Sequence, residues 1–266
     1  MPHRVRLDMS ASGLKAVAGW IARHRRRPGA RPAQRAGTVH TQVVVVLRWM
    51  RHRLDLRTLA GEAGTSIATA YRYLHEALDV IAARTSDLDD VLASARADGM
   101  AFVCLDGTLV PTDRVAARAE RPSPVVLGQA SRLRRQRPGP HRPDGLSTVD
   151  LRSASRLDPR PDRRPRAGAA RALSARRPRT AGAGDKGYTG AGIGVHVPVR
   201  HQPDGPLHTN NRCYNALITA LRAPTERGNA LLGRGRALDR VTVCPQRIGA
   251  IAAAALVLTG LDRGTR

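Results

Sequence analysis

The sequence predicts an α+β protein: a helical N-terminal region, then a region of short strands and packed helices. Three observations carry this. Residues 41–98 place apolar residues at helical spacing, with capping residues between the runs. "MAFVCLDG" and "VHVPV" are short apolar runs beside glycines or prolines, as buried strands are. "NNRCYNALITALRAPTERGNALL" and "RIGAIAAAALVLTGL" return to helix-forming composition near the C-terminus.

Lys and Arg number 45 against 21 Asp and Glu, a formal net charge of +24. A balance this basic points to a polyanionic partner, most simply nucleic acid. Lys occurs only at Lys15 and Lys186, and so heavy an Arg bias fits GC-rich coding DNA, so part of the charge reflects codon composition. Cys104, Cys213 and Cys244 share no metal or disulfide spacing. No segment reads as a signal peptide, and "IGAIAAAALVLTGL" is too short and Ala-rich for a membrane span. The expectation is a cytoplasmic, nucleoid-associated protein with no membrane partner.

Residues 1–40 read as a basic N-terminal arm, within which "SGLKAVAGWIARHRRR" is alternatively an amphipathic helix. Residues 41–98 read as a helical DNA-binding domain. "TQVVVVLRWMRHR" suits a core helix despite its β-branched valines. In "DLRTLAGEAGTSIATAYRYLHEALDVIAA", Leu56, Leu59 and Ala60 form an apolar stripe. Gly64 can take the left-handed conformation a tight turn needs, and Ser66 is a good N-cap for the next helix. Ala70, Tyr73 and Leu74 face inward there, leaving Ser66, Thr69, Arg72 and His75 as candidate DNA contacts. This is the logic of a helix-turn-helix, whose second helix enters the major groove. An ordinary helical hairpin is the alternative.

Met100 to Leu105 read as a buried strand ending at Asp106. A carboxylate there must be solvated, hydrogen-bonded or bound to a cation. A turn-forming Asp-Gly pair is the alternative. Residues 114–183 contain no Phe, Trp, Tyr, Ile, Met, Lys, Asn or Cys and are dominated by Arg and Pro. Such a composition reads as irregular chain, because little apolar surface is available to offset chain entropy. Order resumes at "DKGYTGAGIGVHVPV", with Asp185 before a glycine turn whose spacing matches no nucleotide-binding loop. Arg222 and Glu226 then lie one turn apart on a helix. Two aspartates on neighbouring strands and a glutamate from a packed helix can hold two divalent cations for phosphodiester cleavage. Hard oxygen ligands suit Mg²⁺ or Mn²⁺.

The ordered combination of "LRTLAGEAGTSIATAYRYLHEALDVIAA", "LDGTLVPTDRVA", "DKGYTGAGIGVHVPV" and "ERGNALLGRGRAL" resembles bacterial insertion-sequence transposases of the DDE superfamily. The resemblance covers roughly residues 40–115 and 184–260. It implies an N-terminal helix-turn-helix followed, over 99–260, by a ribonuclease-H-like endonuclease domain. It also implies that Asp106, Asp185 and Glu226 are the catalytic and metal-binding residues for two Mg²⁺ or Mn²⁺ ions, with Arg222 orienting Glu226 or contacting a phosphate. The implied partner is double-stranded DNA at terminal inverted repeats, engaged as a homodimer. Where such proteins carry further strands, a helix and the strand leading to the second aspartate, this chain has residues 114–183.

That break is expected to mark a stretch, from about 116–125 to about 181–184, read out of frame. Back-translating Val126–Pro138 and Leu146–Asp162 with freely chosen synonymous codons, and reading one base in, permits "YSGKHRAFGGNV" and "YPLWTSEVRPGSTHDLT" in one frame. On this reading the domain is incomplete, residues 116–183 are disordered or mostly irregular with few long-range contacts and no packed set of strands, and DNA is bound but cleaved weakly or not at all. A non-enzymatic helix-turn-helix protein or transposase remnant is the alternative. An Arg-rich coat protein for nucleic acid is disfavoured by the scarcity of aromatics for base stacking.

Overall fold

The structure is a computed structural model of the chain, and it describes residues 7, 9–27, 35–86, 88–98, 102–110, 125–132, 146–150, 181–184, 195–201, 205–233 and 235–264. In chain order these form α1 (Ala11–Arg25), α2 (Val39–His52), α3 (Leu56–Glu62), α4 (Ile67–Ala82), α5 (Leu88–Ala97) and β1 (Phe102–Val110). Then follow β2 (Val125–Arg132), β3 (Leu146–Asp150), β4 (Ala181–Ala183), β5 (Val195–His196), α6 (Thr209–Leu232) and α7 (Ile248–Asp262). The protein is mixed α and β, and its chain divides into two units. One unit takes residues 1–85, 111–122 and 232–266, and the other takes 86–110 and 123–231.

The first unit is helical. Ser10 caps α1 through a hydrogen bond from the Gly13 amide, and Val17 and Ile21 are fully buried. Residues 11–25 are therefore a packed helix, as the amphipathic-helix alternative for that stretch has it. The apolar residues recur every four positions, and burying that stripe on α2 and α4 outweighs the basic end. Thr38 caps α2, whose Val43, Val46, Leu47 and Met50 are buried. The C-terminal α7 also belongs here, packing Ile248, Ile251 and Ala252 to Ala255 against α4 and α1. Arg51 of α2 pairs with Asp262, and Thr85 donates to the Ala253 carbonyl at 3.3 Å. The helical unit begins with α1 and reclaims α7, while α5 falls in the second unit.

The second unit is built on a five-stranded sheet of order β3-β2-β1-β4-β5. β1 and β2 are antiparallel, from Val103 opposite Arg132 to Val110 opposite Val125. β2 and β3 are antiparallel, from Gly128 opposite Asp150 to Arg132 opposite Leu146. β4 runs parallel to β1 on its other side, with Phe102, Val103 and Cys104 opposite Ala181, Gly182 and Ala183. β5 is parallel to β4, and α5 packs on β3.

Strands β2 and β3 correct the expectation that 116–183 is strandless and the domain incomplete. A sheet ladder is made by backbone groups, which every residue but proline supplies, so a run poor in large apolar residues can still pair with a long neighbour. "VVLGQASR" and "LSTVD" contain no proline. Both strands overlap the two stretches that gave strand-like strings in the shifted frame, so the structure removes the absence of strands as an argument for a frameshift. β4 likewise corrects the expected loss of the strand before Asp185. Its Gly182 and Ala183 are buried between two ladders, where small residues suffice.

Candidate nucleic-acid interface and carboxylate positions

The turn between α3 and α4 forms as the residue types require. Asp55 caps α3, accepting from the Arg57 and Thr58 amides. Leu56, Leu59 and Ala60 are buried at 4 % exposure or less, so α3 lies close against α4. Gly64 has φ +61°, and the Thr65 amide donates back to the Ala60 carbonyl at 2.9 Å. That left-handed residue and back-bond end α3 within one turn. Ser66 Oγ then accepts from the Thr69 amide at 3.1 Å and starts α4. Ala70, Tyr73, Leu74, Ala77, Leu78 and Ile81 are fully buried along its inner face.

The four expected contact residues fare differently. Ser66 and Arg72 are exposed, and Thr69 is half-buried. Ser66 Oγ also donates to Thr69 Oγ1, so part of its hydrogen-bonding capacity is spent on the cap. The Arg72 guanidinium lies 5.9 Å from the centre of the Tyr73 ring, a cation–π contact that orients it. His75 is half-buried and stacked on Tyr71 at 6.2 Å between ring centres. Burial, and next the Arg247 charge, push its pKa below 6.5, with Asp79 opposing. A neutral His75 adds no charge toward phosphate near neutral pH. Arg57 is a further exposed basic side chain, on α3, that stripe-based reading passed over.

Behind α4 lies a buried polar network that sequence reasoning missed. Arg25, 7 % exposed, donates through Nε to Gln42 Oε1 and through Nη1 to the Gly37 carbonyl, each at 2.9 Å. Gln42 Nε2 donates to the Tyr73 carbonyl at 3.0 Å and to Glu76 Oε2 at 3.2 Å. The Gly37 amide donates to the Tyr73 hydroxyl at 2.8 Å. A Cβ at Gly37 would sit 3.2 to 3.3 Å from Thr41 and Tyr73 side-chain atoms, so a side chain there would have to push those neighbours by a few tenths of an ångström. The signal was present: Arg25 follows Val17 and Ile21 at four-residue intervals, which puts a charge on an apolar stripe.

In the second unit, Asp106 lies within β1 with its backbone opposite Gln129. The strand was expected to end there. It continues through Gly107, opposite Gly128, to Val110, and no Asp-Gly turn forms. Asp185 lies outside the described residues. Arg222 and Glu226 share the continuous helix α6, and Arg222 is half-buried. Cys104 Sγ donates to the Leu221 carbonyl at 3.2 Å, fastening α6 to β1 beside Arg222. Asn215 of α6 holds the Val199 backbone at 2.8 and 3.0 Å, which fastens it to the chain leaving β5. Among the described residues no group of three or more His, Cys, Asp or Glu could hold a metal ion. Nor is any helix among them long and apolar enough to cross a membrane. No protein-family model matches the chain, and no curated protein or solved structure matches it.

Proposed function

We propose that the protein binds duplex DNA through α3 and α4 and is, by descent, an insertion-sequence transposase of the DDE type. The observation that carries the reading is the turn itself: buried Ala60, left-handed Gly64 and capping Ser66, with Arg72 exposed on the following helix. A short α3 packed on a longer α4 that exposes Arg72 is the arrangement that presents a helix to the major groove. On this reading the DNA is a terminal inverted repeat, and a homodimer pairs two ends.

The ribonuclease-H-like part of the proposal draws support from register. β1 and β4 are parallel neighbours, and Phe102 to Cys104 pair with Ala181 to Ala183. Asp185 follows Asp106 in sequence by the same interval that separates those partners. Arg222 and Glu226 lie on the helix fastened to Cys104, two residues before Asp106. Asp106 and Glu226 belong to the same unit. Asp106, Asp185 and Glu226 would hold two Mg²⁺ or Mn²⁺ ions, which supply Lewis-acid activation of water or a 3′-hydroxyl. Arg222 would orient Glu226 or meet a phosphate.

A second reading, a non-enzymatic DNA-binding remnant, is favoured by the Arg/Pro-rich composition of residues 114–183, and a shifted frame there is part of that reading. Purified protein incubated with element-end DNA and Mg²⁺ separates the two. Nicking that disappears in Asp106→Asn supports the transposase. Binding without nicking supports the remnant, and the nucleotide sequence across codons 110–190 then tests the frameshift.

A further inference from the structure

An open pocket of about 440 Å³ lies where the end of α1 meets the start of α2. Arg25, Arg26, Arg35, Gly37 and Thr38 are among the residues that line it. Thr38 is the N-cap of α2, and the first turn of α2 carries no acidic residue, so the positive end of the helix dipole is uncompensated by sequence. The carboxylate nearest in the network, Glu76, is engaged by Arg35, His24 and Gln42. Arg25, although buried, keeps Nη2 without a hydrogen-bond partner among the described residues. Leaving a buried guanidinium nitrogen unbonded is costly unless a ligand completes it. Burial, then the Arg35 charge, hold the Arg25 pKa below its usual value, with Tyr73 and Glu76 opposing. An anion would relieve both effects.

We propose that this pocket is a binding site for a phosphate group, held by Arg25 and Arg26 at the N-terminus of α2. Guanidinium forks and a helix N-terminus together match a tetrahedral oxyanion. The phosphate is either a phosphodiester of bound DNA or that of a free phosphorylated ligand. The proposal does not depend on the helix-turn-helix reading.

The test titrates the full-length protein with inorganic phosphate against chloride at matched ionic strength, following thermal stability and heat of binding. A saturable, phosphate-specific stabilisation is expected, weakened about tenfold in Arg26→Ala, which removes one charge-assisted hydrogen bond. Arg26 is exposed, so this variant keeps the fold. Arg25→Gln is the second variant, checked for native helicity because Arg25 also holds Gln42 and Gly37. No saturable response in the native protein, or responses equal to native in both variants, overturns the site. A short duplex distinguishes the sources. If Arg26→Ala weakens duplex binding and phosphate competes with duplex, the ligand is the DNA backbone. If duplex binding is unchanged while phosphate binding is lost, the ligand is a free phosphorylated molecule. Loss of duplex binding by Arg72→Ala with the phosphate titration intact would separate this site from the recognition helix.

Discussion

Arg35 reaches across from the segment before α2 and grips Glu76 of α4 with both terminal nitrogens, at 2.6 and 2.7 Å. His24 Nε2 lies 3.2 Å from the same carboxylate, and Gln42 donates to it as well. One carboxylate therefore ties α1, α2 and α4 together. Burial by itself would raise the Glu76 pKa, but the Arg35 hydrogen bond and charge, with Gln42 and His24, bring it below 4.5.

The sign of the resulting pH dependence follows. A carboxylate with a depressed folded pKa stabilises fully above its unfolded value, and that contribution is lost as pH falls through the folded value. Native protein should lose stability progressively as pH falls below about 4.5, and Glu76→Gln should flatten that limb. At neutral pH the same substitution should cost roughly 2–4 kcal/mol, because it leaves Arg35 partly buried without its partner. Urea melts of the two proteins from pH 7 to pH 3 provide the measurement. Parallel curves would show that Glu76 is not the titrating tie.

Gly64 tests the turn without disturbing packing. A Cβ there meets nothing within 4 Å, so the cost of a side chain is backbone strain at φ +61° alone. Gly64→Val should destabilise the helical unit by about 1–2 kcal/mol and weaken DNA binding through α4's altered entry. Gly61→Ala, on the preceding helix and also free of neighbours, should do neither. Equal melting temperatures for Gly64→Val and native protein would contradict the strain argument.

Arg72 tests the interface. Arg72→Ala should reduce duplex affinity and lower the slope of log K against log salt by about 1, since one fewer phosphate is neutralised. Circular dichroism should be unchanged, since Arg72 is exposed. An unaltered salt slope would place the DNA elsewhere on the molecule.

Arg53 offers a stability gain. It caps the C-terminus of α2 at φ 53°, the left-handed region, and is exposed. Arg53→Gly should raise stability by about 0.5–1 kcal/mol by removing the Cβ penalty. A lower midpoint in denaturant would mean that the side chain contributes more than its strain costs.

The α3–α4 turn was legible in sequence because its determinants are local. Ala60, Gly64, Ser66 and the Ala70–Tyr73–Leu74 set act over one or two helical turns, through caps and a single left-handed residue. The strand around Asp106 was legible for the same reason, as an apolar run, although its end was not. β1 continues through Asp106 and Gly107 because β2 pairs with it, and that partner lies beyond the local sequence signal.

What sequence alone determined, then, is the short-range part: the α3–α4 turn, the caps, the basic character and the order in which Asp106, Asp185, Arg222 and Glu226 occur. Tertiary structure decided the rest. It drew α1 into the core, joined Arg25 to Gln42 and Glu76, and returned α7 to the N-terminal helices. It also set β2 and β3 beside β1 in a stretch whose composition argued against strands. The physical reason is that ladder hydrogen bonds use backbone groups common to nearly every residue. A buried ion network depends likewise on which helices meet, so the place of Arg25 on the α1 stripe did not name its partners.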